Sequence, residues 1–250
     1  MKTIVSIITI SFNSESTIEQ TIKSVLTQTY SDIEYIIIDG GSKDNTPGKI
    51  KSFKSGISKF ISEPDKGIYD AMNKGLKQAS GDIIGFLNAD DFLYDDKVIE
   101  DIVKEFEKKE ADVIYGNKIY VDPVNSQKIT RVWKPGIYNR SNFKRGWMPP
   151  HLSTYIKKDM YEKCGNFNLN FKIAADYELL FRIMYINKAK SFYLDRNIVF
   201  MRAGGVSNSS LKNYWISNYE VFKSWGINNQ KISPLIIIEK PLRKIKQFFK

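Results

Sequence analysis

Ile83-Ile84-Gly85-Phe86-Leu87-Asn88-Ala89-Asp90-Asp91 is the stretch that decides the architecture. Asp82 to Leu87 is short, apolar and bounded by a polar turn, which reads as a buried strand. It ends in Asn88-Ala89-Asp90-Asp91, with two adjacent carboxylates at the carboxyl end of the strand. Adjacent carboxylates repel, and a hard divalent cation relieves the repulsion. Mg2+ or Mn2+ is commonly held by one or two carboxylates together with phosphate oxygens. The same pair can instead cap the following helix, which is marked by Val98, Ile99, Ile102, Val103 and Phe106. Asp95 and Asp96 lie nearer to its start and can do that capping.

Working outward, the same grammar recurs. Thr3 to Ile10 reads as a buried strand that stops at Ser11-Phe12-Asn13-Ser14. Ser16 with Glu19 has the spacing of a capping box for a helix carrying Ile18, Ile22, Val25 and Leu26. Ile33 to Ile38 is a second strand, ending at Asp39-Gly40-Gly41-Ser42, and a short helix starts near Thr46-Pro47. Ser58 to Ser62 suits a further strand, and Ile68, Met72, Leu76 and Ala79 mark one face of a helix. After the helix containing Val98, Asp112 to Tyr115 reads as a short strand. Lys118 to Val121 and Lys128 to Trp133 then read as a hairpin. Tyr138 to Pro150 is loop-like and basic, and a helix with Tyr177, Leu180, Ile183 and Met184 begins near Asp176. Strands alternating with helices predict an α/β fold, a mainly parallel Rossmann-like sheet with helices on both faces. The expected organisation is a nucleotide-binding half over 1–116, an acceptor-side half with the hairpin over 117–225, and a basic tail over 226–250. In such sheets ligands bind beyond the carboxyl ends of the strands, so the polar turns after residues 10, 38 and 87 should meet on one edge.

Composition narrows the function. The chain has 250 residues, 42% of them hydrophobic, and a formal net charge of +10, so anionic partners suit it. One cysteine, Cys164, rules out an intrachain disulfide and fits a reducing compartment; its bland reading is a small residue at a helix end. No apolar run is long enough to span a bilayer and no signal-peptide pattern opens the chain, which predicts a cytoplasmic protein. The first strand is followed by Ser11-Phe12-Asn13-Ser14-Glu15-Ser16 and not by Gly-x-Gly-x-x-Gly, and a P-loop is absent. Phosphate charge is therefore left to a metal and scattered basic groups. Nucleic-acid binding is disfavoured, because the basic residues form no aromatic-interleaved surface outside the tail. Asp39, at a strand end beside two glycines, suits either a ribose or base acceptor or a turn former.

As a set, four motifs resemble the family 2 glycosyltransferases of the GT-A fold. They are Val5 to Asn13, Ile36 to Asp44, Ala79 to Asp91 and Ala175 to Arg182. Glu63 to Gly75 is similar to the subgroup that builds bacterial surface polysaccharides, the colanic-acid-type enzymes. The resemblance implies an inverting transfer of a sugar from a nucleotide-diphosphate donor, UDP above all, to a hydroxyl of a glycan or lipid-linked glycan. It implies that Ser11, Phe12, Asn13, Glu15 and Asp39 hold the nucleoside, with Lys66 and Asn73 near the donor. Asp90 would ligate Mn2+ or Mg2+, and Asn88 stands where the family's Asp-x-Asp motif has its first acid. Asp176 falls at the catalytic base, although on position alone it suits a helix cap. His151, the one histidine, suits a metal ligand, a phosphate or acceptor contact, or a plain structural role. Trp147 and Asp91 are the acceptor-side candidates, and Trp147 suits core packing as well. Arg202 to Ser207 resembles a loop closing on donor phosphates, or an ordinary Gly-Gly turn. A sugar-phosphate nucleotidyltransferase would need a Gly-rich basic loop after the first strand, which is missing. A non-catalytic nucleotide-sugar-binding assembly protein is the other alternative.

From Met201 onward nine Lys/Arg face two Asp/Glu, and Lys240 to Lys250 interleaves five basic residues with Leu242, Ile245, Phe248 and Phe249. Such a tail suits either an amphipathic helix on an anionic membrane, which would bring the protein to the inner face of the cell membrane, or a solvated end. The membrane reading predicts that the full chain floats with anionic vesicles and that a version truncated before Pro234 does not; equal partitioning would contradict it.

Overall fold

The computed structural model describes residues 2–204, 211–233 and 236. In chain order the elements are β1 Val5–Ser11, α1 Ile18–Leu26, β2 Ile33–Asp39, α2 Thr46–Ser52, β3 Lys59–Ser62, α3 Ile68–Gln78, β4 Ile83–Asn88, β5 Phe92–Leu93 and α4 Val98–Lys109. They continue with β6 Val113–Val121, β7 Ile129–Trp133, α5 Arg140–Phe143, β8 Thr154–Lys157, α6 Lys158–Cys164, α7 Ala175–Leu180, β9 Ser191–Arg202 and α8 Leu211–Ile227. One nine-stranded sheet runs β3-β2-β1-β4-β8-β6-β9-β5, with β7 paired to β6. The first four strands of that order are parallel, and β8 joins them antiparallel. This is the mixed α/β sheet of the GT-A fold, as the motifs predict.

Register explains where the site falls. Ser11 stands opposite Asp39, Asp39 opposite Ser62, and Ile10 opposite Asn88. Four parallel strands thus end level with one another. Asp39 and Asn88 flank β1 from opposite sides, about 10 Å apart at one strand spacing each. Every residue of β1 is buried, because helices cover both faces of the sheet. α3 packs on β1 and β2 through Ala71, Met72, Gly75 and Leu76.

Local details differ from the sequence reading in instructive ways. α1 is capped from Thr17 with no side-chain cap bond, so the Ser16–Glu19 capping box does not form. Glu19 instead pairs with Lys49 at 3.1 Å. Asp95 accepts from the Lys97 amide at the start of α4, which leaves Asp90 and Asp91 out of the capping role. The strands expected at Asp112 and at Lys118 are one strand, β6, which runs through Gly116 and shifts register there against β9. The halves expected on either side of Gly116 therefore share one sheet. α7 starts at Ala175, with Ala174 as its cap, and passes into a π-helical turn over Phe181–Ile186. Cys164 ends α6, and burial raises its thiol pKa, so it stays a quiet thiol. Gly205 to Ser207 and the basic run from Lys240 lie outside the described residues. Among the described residues no helix is long and apolar enough to cross a membrane.

Gly85 fixes the junction of the parallel and antiparallel parts. It pairs with Tyr155, and a Cβ at residue 85 would collide with the fully buried Tyr155 ring. Gly85→Ala should therefore cost about 1–3 kcal/mol, the usual range for overpacking a rigid core site. Urea unfolding would show it as a lowered midpoint with an unchanged slope.

Candidate active site

The rim above β3-β2-β1-β4 is organised by Asp39. Its carboxylate is fully buried. Oδ1 accepts from Ser11 Oγ at 3.1 Å and from Ser42 Oγ; Oδ2 accepts from Ser62 Oγ at 2.7 Å and the Ser42 amide at 3.0 Å. Every lone-pair direction is taken, as a buried carboxylate requires. Asp39 and Ser11, expected to touch the nucleoside, are buried here and tie three strand ends together.

What stands at the surface is different. The Phe12 ring is 61% exposed. Asn13 takes a left-handed backbone, φ 48°, with its amide donating to Ser42 Oγ and its side-chain oxygen accepting from the Lys43 amide. Glu15, expected at the nucleoside, accepts from the Asn45 amide at 2.8 Å and pins the β2–α2 loop to the β1–α1 loop. Gly40 leaves an opening, and Asp65 from the β3–α3 loop fills it. A Cβ at residue 40 would collide with Asp65 Oδ2 and lie 3.3 Å from the Phe12 ring. Asp65 Oδ1 accepts from the Gly67 amide at 2.8 Å, which aims the other oxygen at Gly40 and Phe12. The sequence reading gave Asp65 no role; only the collision space of Gly40 reveals it.

The second cluster is the turn after β4. Asp91 is fully buried and accepts from the Arg202 amide at 3.1 Å, with the Asn88 amide nitrogen 3.5 Å away. Desolvation first, and the neighbouring Asp90 charge second, push its pKa well above the carboxylate range. Asp91, an acceptor-side candidate by sequence, is thus a buried prop for the Arg202 backbone here. Asp90 is exposed, yet enough protein surrounds it that desolvation raises its pKa, with Arg202 opposing. The Arg202 guanidinium donates to the Asp90 carbonyl and to Gln20, and Thr21 Oγ1 bonds the carbonyls of Ala89 and Asp91. Asn88 Oδ1 is buried without a hydrogen-bond partner. An orphan amide oxygen beside an exposed carboxylate is a donor set that a hard divalent cation fits. Among the described residues no group of three His, Cys, Asp or Glu side chains is assembled, and His151, the other candidate ligand, is buried between Phe86 and Phe167. The other ligands would have to be phosphate oxygens and water.

The third cluster gathers around Tyr69 and Asp176. Tyr69 of α3 donates its hydroxyl to the Ile173 carbonyl at 2.6 Å and lies 3.2 Å from Asp176 Oδ1. Burial and the Asp176 charge raise the phenol well above its usual range, so it stays a proton donor. Asn73, expected near the donor, spends its amide on Phe167: it donates to the Phe167 carbonyl at 2.9 Å and accepts its amide at 3.0 Å. The Phe167 ring so placed stacks on Tyr69 and meets His151 edge-on at 5.4 Å. Lys66 is exposed at the start of the α3 loop. Trp147, expected against a sugar, is core: it packs on Tyr115, Tyr138 and Phe143, and its indole nitrogen donates to Pro135 at 3.0 Å.

Three polar clusters are thus built, an exposed aromatic beside Asp65, a turn whose donors suit a hard cation, and a carboxylate beside the Tyr69 hydroxyl. Residues 6–162 match the model of glycosyl transferase family 2, and the chain belongs to that family. It is 36% identical over 181 residues, 71% of this chain and 68% of the relative, to an uncharacterized glycosyltransferase of Mycobacterium tuberculosis. It is 25% identical, over 89% of this chain and 86% of the relative, to the PGL/p-HBAD biosynthesis glycosyltransferase of Mycobacterium bovis. Among solved structures, Staphylococcus aureus TarS 1–349 in complex with UDP-GlcNAc matches with a TM-score of 0.71 at 17% identity, covering 94% of this chain and 69% of that one. The mannosyltransferase PcManGT of Pyrobaculum calidifontis with GDP-Man and Mn2+ matches at 0.68 and 14%, covering 96% and 69%. The chain spans 41% of the longer TarS structure.

His151 gives the site a pH signature. It is buried between Phe86 and Phe167 with Nε2 unpartnered. Desolvation lowers its pKa from 6.5 to about 4, Asp176 opposing and Lys118 assisting. The unfolded chain binds this proton more readily, so the contribution is complete above pH 6.5 and fades as pH falls toward 4. The depression corresponds to roughly 3 kcal/mol. Asp91, with its raised pKa, opposes this trend in the same window, so the variant must be compared with the parent. His151→Gln should lose less stability than the wild type between pH 6.5 and 4.5 in thermal melts; parallel curves would contradict the buried neutral imidazole.

Proposed function

We propose that this glycosyltransferase moves one sugar from a nucleotide-diphosphate sugar to a hydroxyl of a glycan or lipid-linked glycan, with inversion, in surface polysaccharide synthesis. The observation that carries the reading is Asp176 at the start of α7 with the Tyr69 hydroxyl 3.2 Å from its Oδ1, in a chain of this family whose Asn88–Asp91 turn ends the parallel strand β4.

In this reading the base lies against Phe12, and the Asp65 carboxylate accepts a ring N–H. Uracil and thymine offer one at N3 and guanine one at N1, whereas cytosine and adenine present only an acceptor nitrogen at the corresponding position. That chemistry favours UDP, and admits dTDP and GDP sugars. Asp90 and Asn88 would hold Mn2+ or Mg2+. When bound, the ion supplies positive charge to the departing diphosphate. Arg202 holds the turn in shape from below. Asp176 removes the proton of the attacking hydroxyl as general base, and the Tyr69 hydroxyl beside it fixes its orientation. His151 and Lys66 are left as contacts to phosphate or acceptor. The basic tail would bring the enzyme to lipid-linked acceptor at an anionic membrane.

Two measurements test this. A thermal-shift screen with Mn2+ should show UDP raising the melting temperature more than CDP or ADP, since a ligand that binds only the native state raises apparent stability. Asp176→Asn should keep that shift while release of UDP from a hydrolysed or transferred donor falls about 100-fold or more. No shift with any nucleotide diphosphate, or near-normal turnover by Asp176→Asn, would contradict the assignment.

A further inference from the structure

Glu220 lies on α8, 44 positions after Asp176, and is 6% exposed. Its carboxylate accepts three consecutive backbone amides of the loop that leads into α7. Oε1 takes the Lys172 N–H at 2.8 Å; Oε2 takes the Ile173 and Ala174 N–H groups at 2.9 Å each. Three successive amides turned toward one anion form a concave backbone nest, a conformation that the anion itself selects. Bonds from a buried carboxylate to amides are charge-assisted and strong.

The loop is gripped from its other side as well. The Ile173 carbonyl accepts from Tyr69, and Ala174 is the residue that caps α7. The peptide between Ile173 and Ala174 is thus held through its oxygen by α3 and through its nitrogen by α8. Asp176 follows two residues later, its Oδ1 beside the same Tyr69 hydroxyl. A buried carboxylate is an expensive way to pack a helix, since desolvation opposes it and an apolar residue would serve. Here three loop amides offset its cost.

We infer that Glu220 is a positioning residue: it fixes the 172–174 loop and through it the placement of Asp176 over the donor. The inference rests on Asp176 as the base. A displacement of about 1 Å in a reacting group can cost about 100-fold in rate without weakening substrate binding. Glu220 therefore acts on kcat and leaves the donor side of the rim untouched.

Glu220→Gln tests it, because the isosteric amide keeps one acceptor oxygen and turns an NH2 toward amides that need an acceptor. With UDP-GlcNAc and Mn2+, followed by UDP release, kcat should fall about 10-fold or more while donor KM and the UDP-induced thermal shift stay within about 2-fold of wild type. Glu220→Asp, which keeps both oxygens, should recover part of the loss. Hydrogen exchange should show lost protection at residues 172–174 in Glu220→Gln. Trp225→Phe serves as the stability control: it removes the indole bond to Tyr177 Oη at 3.1 Å and loosens α8 elsewhere. At a matched fall in melting temperature it should keep kcat. Glu220→Gln with wild-type kcat beside an inactive Asp176→Asn would overturn the inference and leave the base standing. So would equal kcat losses in Glu220→Gln and Trp225→Phe. An active Asp176→Asn would remove the base and with it the inference.

Discussion

A carboxylate buried without cationic partners must have its lone pairs filled, and at Asp39 they are filled by three serines and an amide drawn from three strand ends. The remainder of the rim depends on that knot. It holds the loops after β1, β2 and β3 in one layer, fixes the left-handed turn at Asn13, and sets Gly40 where Asp65 can fill the gap. The exposed aromatic and the open carboxylate are consequences of a buried polar network. Such networks are high-stakes: fully satisfied they rigidify, and partly satisfied they cost more than apolar packing.

The opposite wall is built on the same principle from different elements. Asp176 stands on a short helix whose entry loop is pinned by Tyr69 from α3 and Glu220 from α8. Arg182 adds a second pin: paired with the buried Glu178 at 2.7 Å, it donates to the carbonyls of the loop after α6, including Asn166. Loop backbone at this site is thus held by side chains of regular elements, which is how a loop reaches the precision that chemistry needs. α3 contributes Tyr69 and Asn73 to this wall, and so residues before and after Gly116 meet through α3.

Much of the layout was legible in the sequence, for a physical reason. β1, β2 and β4 are mostly buried, so their residues form apolar runs with few polar interruptions, and the polar turns that end them stand out. What was not legible depends on contacts across long stretches of chain. β8 has four residues and exists because Gly85 and Tyr155 fit together. β9 reads Ser-Phe-Tyr-Leu-Asp-Arg-Asn-Ile-Val-Phe-Met-Arg, without clean alternation, and is held by its long ladder with β6. The site residues divide in the same way. Asp90 stands out in the sequence by its place at a strand end, whereas Asp176 stands out only through the family resemblance, since its position alone suits a helix cap. The internal partners of Asp39, Ser11, Asp91, Asn73 and Trp147 were not legible, because residue type does not reveal which polar groups the fold buries and bonds internally. Asp65, Arg202 and Glu220 act through partners 25 to more than 100 positions away, a relation that no local pattern encodes.

The central claim is that the polar turns on one sheet edge receive a nucleotide diphosphate, base toward Phe12 and Asp65, diphosphate toward Asp90. A crystal structure of the protein grown with UDP and Mn2+ tests it most directly. The account predicts a uracil ring on Phe12 with N3 within hydrogen-bond distance of Asp65, and anomalous density for manganese between Asp90 and the phosphates. Nucleotide bound away from this edge, or manganese without Asp90 among its neighbours, would contradict it.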